Sequence, residues 1–293
     1  MSIVRSLSVG EGDMFYIIHN NDTFSIIDCC MEEVYQEMIT GVLKAEASKS
    51  VVSRFISTHP DDDHIRGLTY LNKEFPIRNF YCVKNEATKP DESDDFDEYC
   101  KLRDDTQKAF CIYQGCSRAW LNEKNEERSG SGINVLWPVV EDKDYKEELN
   151  EAKKGTRWNN ISPIIKYSVA EGVTIIWMGD LLAPFMEKIQ DKVSFGPADI
   201  LFAPHHGRDK VPDKWLAEMK PKVIILGVAP STELVYYKGY NMITQNSADH
   251  ITIDCLQKKS MFYVTAKEYS VAFLTNEHAP DSIYGRYIGS LVL

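Results

Sequence analysis

Long apolar runs are missing from this chain. No stretch of its 293 residues approaches the roughly 18 uninterrupted apolar residues of a membrane-spanning helix, so no membrane partner is expected. The opening Met-Ser-Ile-Val-Arg-Ser-Leu-Ser-Val-Gly holds no apolar core followed by a small-residue cleavage site, and no signal peptide is expected. Cysteine occurs without a pattern. There are seven, an odd number, and no CxxC pair. Cys111 and Cys116 are five apart, which does not suit a zinc knuckle. The expectation is reduced thiols in a cytoplasmic protein. Positive charge is in deficit: 33 Lys and Arg against 44 Asp and Glu give a net charge of −11. That argues against a general duplex-DNA clamp, whose affinity comes mostly from neutralised phosphates. It leaves room for a nuclease, because bound metal ions supply positive charge locally. Internal repeats and low-complexity tails are absent too.

What is present reads as an ordinary globular chain, 43% hydrophobic and 26% charged. Its length fits one domain, residues 1–293, with an insertion. Residues 3–9, 14–19 and 23–28 alternate as strands separated by Gly-Glu-Gly-Asp and Asn-Asn-Asp turns. Residues 31–46 carry Met31, Val34, Tyr35, Met38, Ile39, Val42 and Leu43 at helical spacing. A strand at 51–57, a helix at about 64–74 and a strand at 79–83 follow. The composition then shifts over about 85–155. Eight acids fall within 91–105, a polar stretch ends in Ser-Gly-Ser-Gly, and 141–154 is a charged run. This segment reads as a solvated, acidic, helical insertion, and alternatively as a lid or a protein-partner surface. Strands return at 161–169, 173–178, 200–203 and 223–228, with helices at 181–192 and 212–219. Further strands are expected near 261–265 and 271–274. Strands and helices interleave in two similar halves, which predicts layered α/β packing.

Three of these strands end in metal-ligand residue types. The run 51–56 leads into His59-Pro60-Asp61-Asp62-Asp63-His64. Two imidazoles and three carboxylates within six residues repel one another or waste hydrogen bonds unless a cation sits among them. A strand-to-helix turn capped by Asp62 or Asp63 is the plainer alternative. The strand at 173–178 ends in Gly179-Asp180, where a carboxylate can bridge two metals or simply make a turn. The strand at 200–203 ends in Pro204-His205-His206-Gly207. A lone histidine there would be structural; three loaded strand ends in one chain make coincidence a poor account. His19, His250 and His278 stand in polar or turn contexts and are assigned no role.

The order H-x-D-x-D-H, Gly-Asp, Pro-His-His-Gly resembles the metallo-β-lactamase-fold hydrolases. It is most similar to the branch containing the C-terminal domain of ComEC-type competence proteins. That branch's V-G-Q-G-D appears as Val9-Gly10-Glu11-Gly12-Asp13, and its L-I-D-G-G as Ile26-Ile27-Asp28-Cys29-Cys30. Its T-H-x-D-x-D-H-x-G-G appears as Thr58 to Gly67, its N-N-x-S as Asn159-Asn160-Ile161-Ser162, and its P-H-H-G-S as Pro204 to Arg208. The resemblance covers most of the chain outside about 85–155. It implies a four-layer αββα sandwich with two divalent metals at one edge, between the sheets. Zinc is favoured, with manganese or magnesium possible, because Asp61 stands where the wider superfamily has a second histidine. It implies His59 and Asp61 on the first metal, Asp63, His64 and His205 on the second, and Asp180 between them. Which of His205 and His206 ligates is left open, with His205 preferred.

The chemistry that follows is hydrolysis by a metal-bound hydroxide. Asp63 belongs to the catalytic group. His206 is the candidate proton donor, Asn160 and Arg208 are candidates to bind the transition-state oxyanion, and Ser162 lines the substrate site. The first reading is a phosphodiesterase or nuclease for single-stranded nucleic acid or nucleotides. The second is a hydrolase of carboxylic esters, lactones, thioesters or amides. The third is a non-catalytic binding or regulatory protein, against which the intact ligand positions argue. No Glu stands at the second ligand position, which argues against an oxygen-reducing di-iron role. Unlike the competence proteins, this sequence shows no membrane helices, so a DNA-uptake channel is not expected.

Overall fold

Alternation along the strands decides which layer each side chain enters. Phe15 and Ile17 point one way and Tyr16 the other, so one strand serves two cores. The computed structural model describes residues 2–91 and 93–293; Met1 and Glu92, the latter one of the acids in the 91–105 run, lie outside the described residues. The strands are β1 (Ser2–Ser6), β2 (Phe15–Ile18), β3 (Thr23–Ile27), β4 (Val52–Ile56), β5 (Phe80–Cys82), β6 (Ala109–Cys111), β7 (Ile133–Trp137) and β8 (Ile164–Ser168). They continue as β9 (Thr174–Trp177), β10 (Ile200–Phe202), β11 (Val223–Leu226), β12 (Met242–Thr244), β13 (Ile251–Leu256), β14 (Lys259–Val264) and β15 (Arg286–Val292). The α-helices are α1 (Gln36–Ala47), α2 (Asp62–Ile65), α3 (Leu68–Glu74), α4 (Asp94–Asp104), α5 (Lys143–Lys153), α6 (Ala183–Ile189), α7 (Asp213–Met219) and α8 (Gln245–Ala248).

These strands form a nine-stranded sheet, β15-β14-β13-β1-β2-β3-β4-β5-β6, and a six-stranded sheet, β12-β11-β10-β9-β8-β7. The sheets meet face to face through Phe15, whose ring stands edge-on to Trp177 at 6.1 Å and to Phe202 at 5.0 Å. The far face of the large sheet, with Tyr16, Phe24, Phe55 and Phe80, is covered by α1, α3 and α4. The small sheet is covered in the same way, with Trp137 of β7 against Tyr145 of α5 and Phe185 of α6. The result is an αββα sandwich, as expected from the sequence. Among the described residues no helix is long and apolar enough to cross a membrane.

Two differences from the sequence reading are informative. The segment 85–155 is not wholly helical: it supplies β6 at the edge of one sheet and β7 at the edge of the other. Phe96, Tyr99, Trp137 and Tyr145 are buried there, and the strong local acidity hid that sparse apolar content. Residues 271–274 form no strand; Leu274 is buried, but the stretch runs as bends beside Thr275, which bridges to Ser290. Apolar alternation over four residues is too short to choose between a strand and a packed loop.

Strand direction positions the site. β3 and β4 run parallel, and so do β9 and β10. Parallel neighbours deliver their carboxyl ends to one edge, where the chain is free to leave the sheet and present side chains.

Candidate metal centre

Four strand exits meet at that edge: Asp28 after β3, Thr58 and His59 after β4, Asp180 after β9, and His205-His206 after β10. Backbone hydrogen bonds hold the exits in register. Asp28 N–H donates to the Ile56 carbonyl at 2.9 Å, and His205 N–H to the Gly179 carbonyl at 3.0 Å. Asp13, from the turn between β1 and β2, is drawn in by its N–H on the Asp63 carbonyl at 3.1 Å. Gly12 has to be glycine for this approach, because a Cβ there would stand 2.6 Å from the Asp63 carbonyl oxygen and 2.5 Å from Cys30 Sγ. His205 and His206 both adopt left-handed backbone, with φ of 51° and 56°. That is uncommon for residues with side chains, and it turns the two imidazoles to different neighbours.

Carboxylates and hydroxyls fix the rings from behind. Asp28, fully buried, accepts from Thr58 N–H and Thr58 Oγ1 at 2.7 Å each and from His64 Nδ1 at 2.9 Å. His64 therefore presents Nε2 forward. His59 Nδ1 lies 3.0 Å from Thr58 Oγ1 and 3.3 Å from Ser162 Oγ, so its Nε2 also faces forward. Such tethers are what a metal-ligating histidine uses to set its tautomer and ring plane. His206 Nδ1 meets Asp13 Oδ1 at 3.2 Å, and its Nε2 lies 3.1 Å from Asp63 Oδ2 and 3.6 Å from Asp180 Oδ2.

The forward atoms have nothing to bond. His59 Nε2, His64 Nε2 and Asp180 Oδ1 are buried with no hydrogen-bond partner among the described residues. His64 Nε2 and Asp180 Oδ1 are 3.1 Å apart, but that contact lacks hydrogen-bond geometry. Asp13, His64, Asp180 and His206 each place a donor atom within 4.8 Å of the others. Buried lone pairs converging without a donor are costly unless a cation sits between them, so the donor set fits a divalent metal.

The electrostatics lead to the same place. Burial opposes charge on His64, yet Asp180 and Asp28 override it and hold its pKa well above the ordinary imidazole value. Burial likewise opposes His206, but Asp180, Asp13 and Asp63 push it up to about 10. Burial, then the His64 charge, lowers His59 to about 4. Burial would raise Asp63, but the His206 hydrogen bond and the His64 charge hold it below the usual carboxylate range. Without a metal, protons on His64 and His206 supply the positive charge that the carboxylates demand.

The remaining candidates from the sequence lie around this centre. His205, a quarter exposed, gives Nδ1 to Asp209 at 2.7 Å and brings Nε2 to 3.9 Å from Asp180. Asp61 caps α2 and pairs with Lys89 at 3.1 Å. Ser162 Oγ accepts from Asp180 N–H at 3.3 Å. Asn160 is committed at both ends, its Nδ2 to Glu148 at 2.9 Å and its Oδ1 to Leu182 N–H at 3.2 Å. Arg208 reaches Glu11 and Glu233, at 2.8 Å each. Asp13, Asp28 and Lys89 were not singled out from the sequence as site residues. Asp28 had a readable signal, an acid directly after a buried strand. Asp13 sat in a turn, where an acid is ordinary.

No family model and no curated protein matches the chain. Solved structures similar to it include a fragment of the diflavin flavoprotein A 5 of Nostoc sp. PCC 7120, at 12% identity and a TM-score of 0.33 over 62% of this chain and 61% of that one. BLEG-1, a B3 metallo-β-lactamase, aligns at 14% identity and a TM-score of 0.34 over 64% of this chain and 84% of its own. CmlA, a diiron β-hydroxylase from Streptomyces venezuelae, aligns at 10% identity and a TM-score of 0.47 over 87% of this chain and 54% of its own. The chain thus spans less than two thirds of the flavoprotein fragment and little more than half of CmlA. Superpositions this loose assign it neither a family nor an activity.

Proposed function

We propose that the chain is a metal-dependent hydrolase of the metallo-β-lactamase type, acting on phosphodiesters in single-stranded nucleic acid or nucleotides. The observation that carries the metal-dependent part is the cluster of Asp13, His64, Asp180 and His206, whose donor atoms lie within 4.8 Å of one another and include the buried, unpartnered His64 Nε2 and Asp180 Oδ1. The substrate class rests on the ComEC-type resemblance of the motifs. Asp13, His64, Asp180 and His206 would hold one ion, with Asp63 in reach at 3.1 Å from His206 Nε2. His59 and Asp61 are the candidates for another. The oxygen-rich donor set suits manganese or magnesium as well as zinc. The free thiols of Cys29, Cys30, Cys82, Cys111, Cys116 and Cys255 support a cytoplasmic setting.

A divalent cation held there supplies Lewis acidity toward a phosphoryl or acyl oxygen and lowers the pKa of a bound water. The chain's own residues do the rest. Asp28 and Thr58 orient His64 and His59, and Ser162 fixes the Asp180 backbone. His205 is the side chain best placed to hand a proton to a leaving group. It is partly exposed, held at Nδ1 by Asp209, and directs Nε2 toward Asp180. His206 suits that task less, because its side chain is fully buried and carboxylates flank both nitrogens. Asn160 acts as a positioning residue between α5 and the loop after Asp180.

One observation favours a second reading, hydrolysis of a neutral ester, lactone, thioester or amide. Arg208 is spent on Glu11 and Glu233, which leaves that arginine no free charge for a phosphate. The test is turnover of bis(p-nitrophenyl) phosphate against nitrocefin and a lactone, with zinc or manganese added. Phosphodiester cleavage that disappears in Asp63→Ala supports the first reading. Ester or lactone turnover alone supports the second, and a folded protein that binds no metal sinks both.

A further inference from the structure

The first metal position has a competitor built into the fold. Lys89 comes from the 85–155 segment, and its side chain is only 5% exposed. Its Nζ lies 3.1 Å from Asp61 Oδ1 and 2.6 Å from Asp62 Oδ1. The same Asp61 oxygen accepts the Asp62 N–H at 3.0 Å, as the cap of α2. The lysine is not a loose surface arm. Its ammonium lies 5.1 Å from the Trp158 ring centroid and 5.9 Å from that of Phe96. The residue before it is fastened at both backbone groups: Trp158 Nε1 donates to the Thr88 carbonyl at 2.9 Å, and Thr88 N–H to the Ala152 carbonyl at 3.1 Å.

We propose that Lys89 takes the place of one metal ion, so that this chain holds a single tightly bound divalent cation with a fixed ammonium beside it. The inference rests on the metal-centre reading above and deepens it. A first ion would draw on His59, Asp61 and a share of Asp180. With Asp61 Oδ1 shared between Lys89 and the Asp62 N–H, that position keeps one imidazole nitrogen, one shared carboxylate and at most the second Asp61 oxygen, too few protein donors for tight binding beside an ammonium. An ammonium within 3.1 Å of Asp61 also repels a divalent cation approaching the same carboxylate. The second position, built from Asp13, His64, Asp180 and His206 with Asp63 beside His206, is untouched by Lys89. Lys89 is thus a positioning residue that sets metal count, and the 85–155 segment reaches the centre through it.

The test is metal stoichiometry of the full chain, stripped with chelator and dialysed against zinc or manganese alone. Elemental analysis should give one tight equivalent in the wild type and two in Lys89→Met, whose unbranched apolar side chain still fits between Phe96 and Trp158. Lys89→Arg keeps the charge and should stay at one. Electron paramagnetic resonance of the manganese-loaded protein should change from a single-ion spectrum in the wild type to an exchange-coupled one in Lys89→Met. Two tight ions in the wild type overturn the proposal and leave the metal-centre reading standing, even if no variant folds. One ion in both wild type and Lys89→Met also overturns it. No bound metal in a folded wild type removes the metal centre and this proposal together.

Discussion

The buried Asp28 carboxylate accepts three hydrogen bonds and touches none of the forward-facing donor atoms. Its contribution is orientation, and orientation has a measurable size. Asp28→Ala should weaken metal binding by about 10–100-fold through the freed His64 ring. Competition with a chelating dye measures this, and unchanged affinity would show that the ring is held by packing alone. Gly179 is a second residue with a definite cost. Its φ is +50°, and a Cβ there would lie 2.6 Å from Ser162 Oγ and 2.7 Å from Ser162 Cβ. Gly179→Ala should destabilise the fold by about 1–3 kcal/mol and displace Asp180, the next residue. Urea melts read the first effect and metal content the second. An alanine variant of wild-type stability would mean that Ser162 and Thr58 yield more easily than their burial suggests.

Among the elements, β7 and α5 show how a segment that looks like a polar appendage becomes part of the core. Only Ile133, Val135 and Trp137 of β7 face inward, and the intervening residues are polar or half-exposed. These three, like Phe96, Tyr99 and Tyr145, are scattered through a highly charged stretch of some seventy residues and do not stand out by composition, yet Trp137 meets α5 and α6 together. Trp137→Ala should cost about 3–5 kcal/mol, as for a large aromatic lost from a packed interior. A loss under about 1 kcal/mol in a denaturant melt would make the segment a separable insertion after all. The strand exits were easier to read. An apolar run followed within three residues by His or Asp marks β4, β9 and β10, and three such exits in one chain stand out more than any one of them would alone.

For the whole molecule, pH and salt act through groups spread over both sheets. His19 is buried at the end of β2, its Nε2 on Ser25 Oγ at 2.8 Å. Burial, and then the Arg54 charge, hold its pKa well below 6.5. Folded His19 stays neutral while the unfolded chain takes up a proton, so its contribution is complete above about pH 6.5 and lost as pH falls below that. The sign is that of a depressed folded pKa, with a slope of up to about 1.4 kcal/mol per pH unit. The stability gap between wild type and His19→Gln should therefore narrow by about 1–2 kcal/mol from pH 7 to pH 5. A constant gap in paired urea melts would place the acid sensitivity elsewhere. The net charge of −11 sets the second expectation. Under the phosphodiester reading proposed above, an anionic substrate approaches a like-charged molecule, so kcat/KM should rise with ionic strength, opposite to a basic nucleic-acid binder. A fall with added salt would point to a local positive channel.

By itself the sequence determined the local chemistry: most strands outside 85–155 from their apolar patterning, the turns from their Gly and Asn, and the candidate site exits from His and Asp placed just after apolar runs. These are properties of neighbours along the chain, so the chain order suffices. Tertiary structure decided what depends on residues far apart. It chose His206 over His205 as the imidazole packed among Asp13, Asp63 and Asp180, because two adjacent left-handed residues send their rings to different partners. It brought Asp13 across the edge against Asp63, fifty residues away in sequence. It set Lys89 against Asp61, a contact made only when the far segment folds back over α2. Periodicity reports which face of an element is buried, whereas the partner across the gap is fixed only when the layers close.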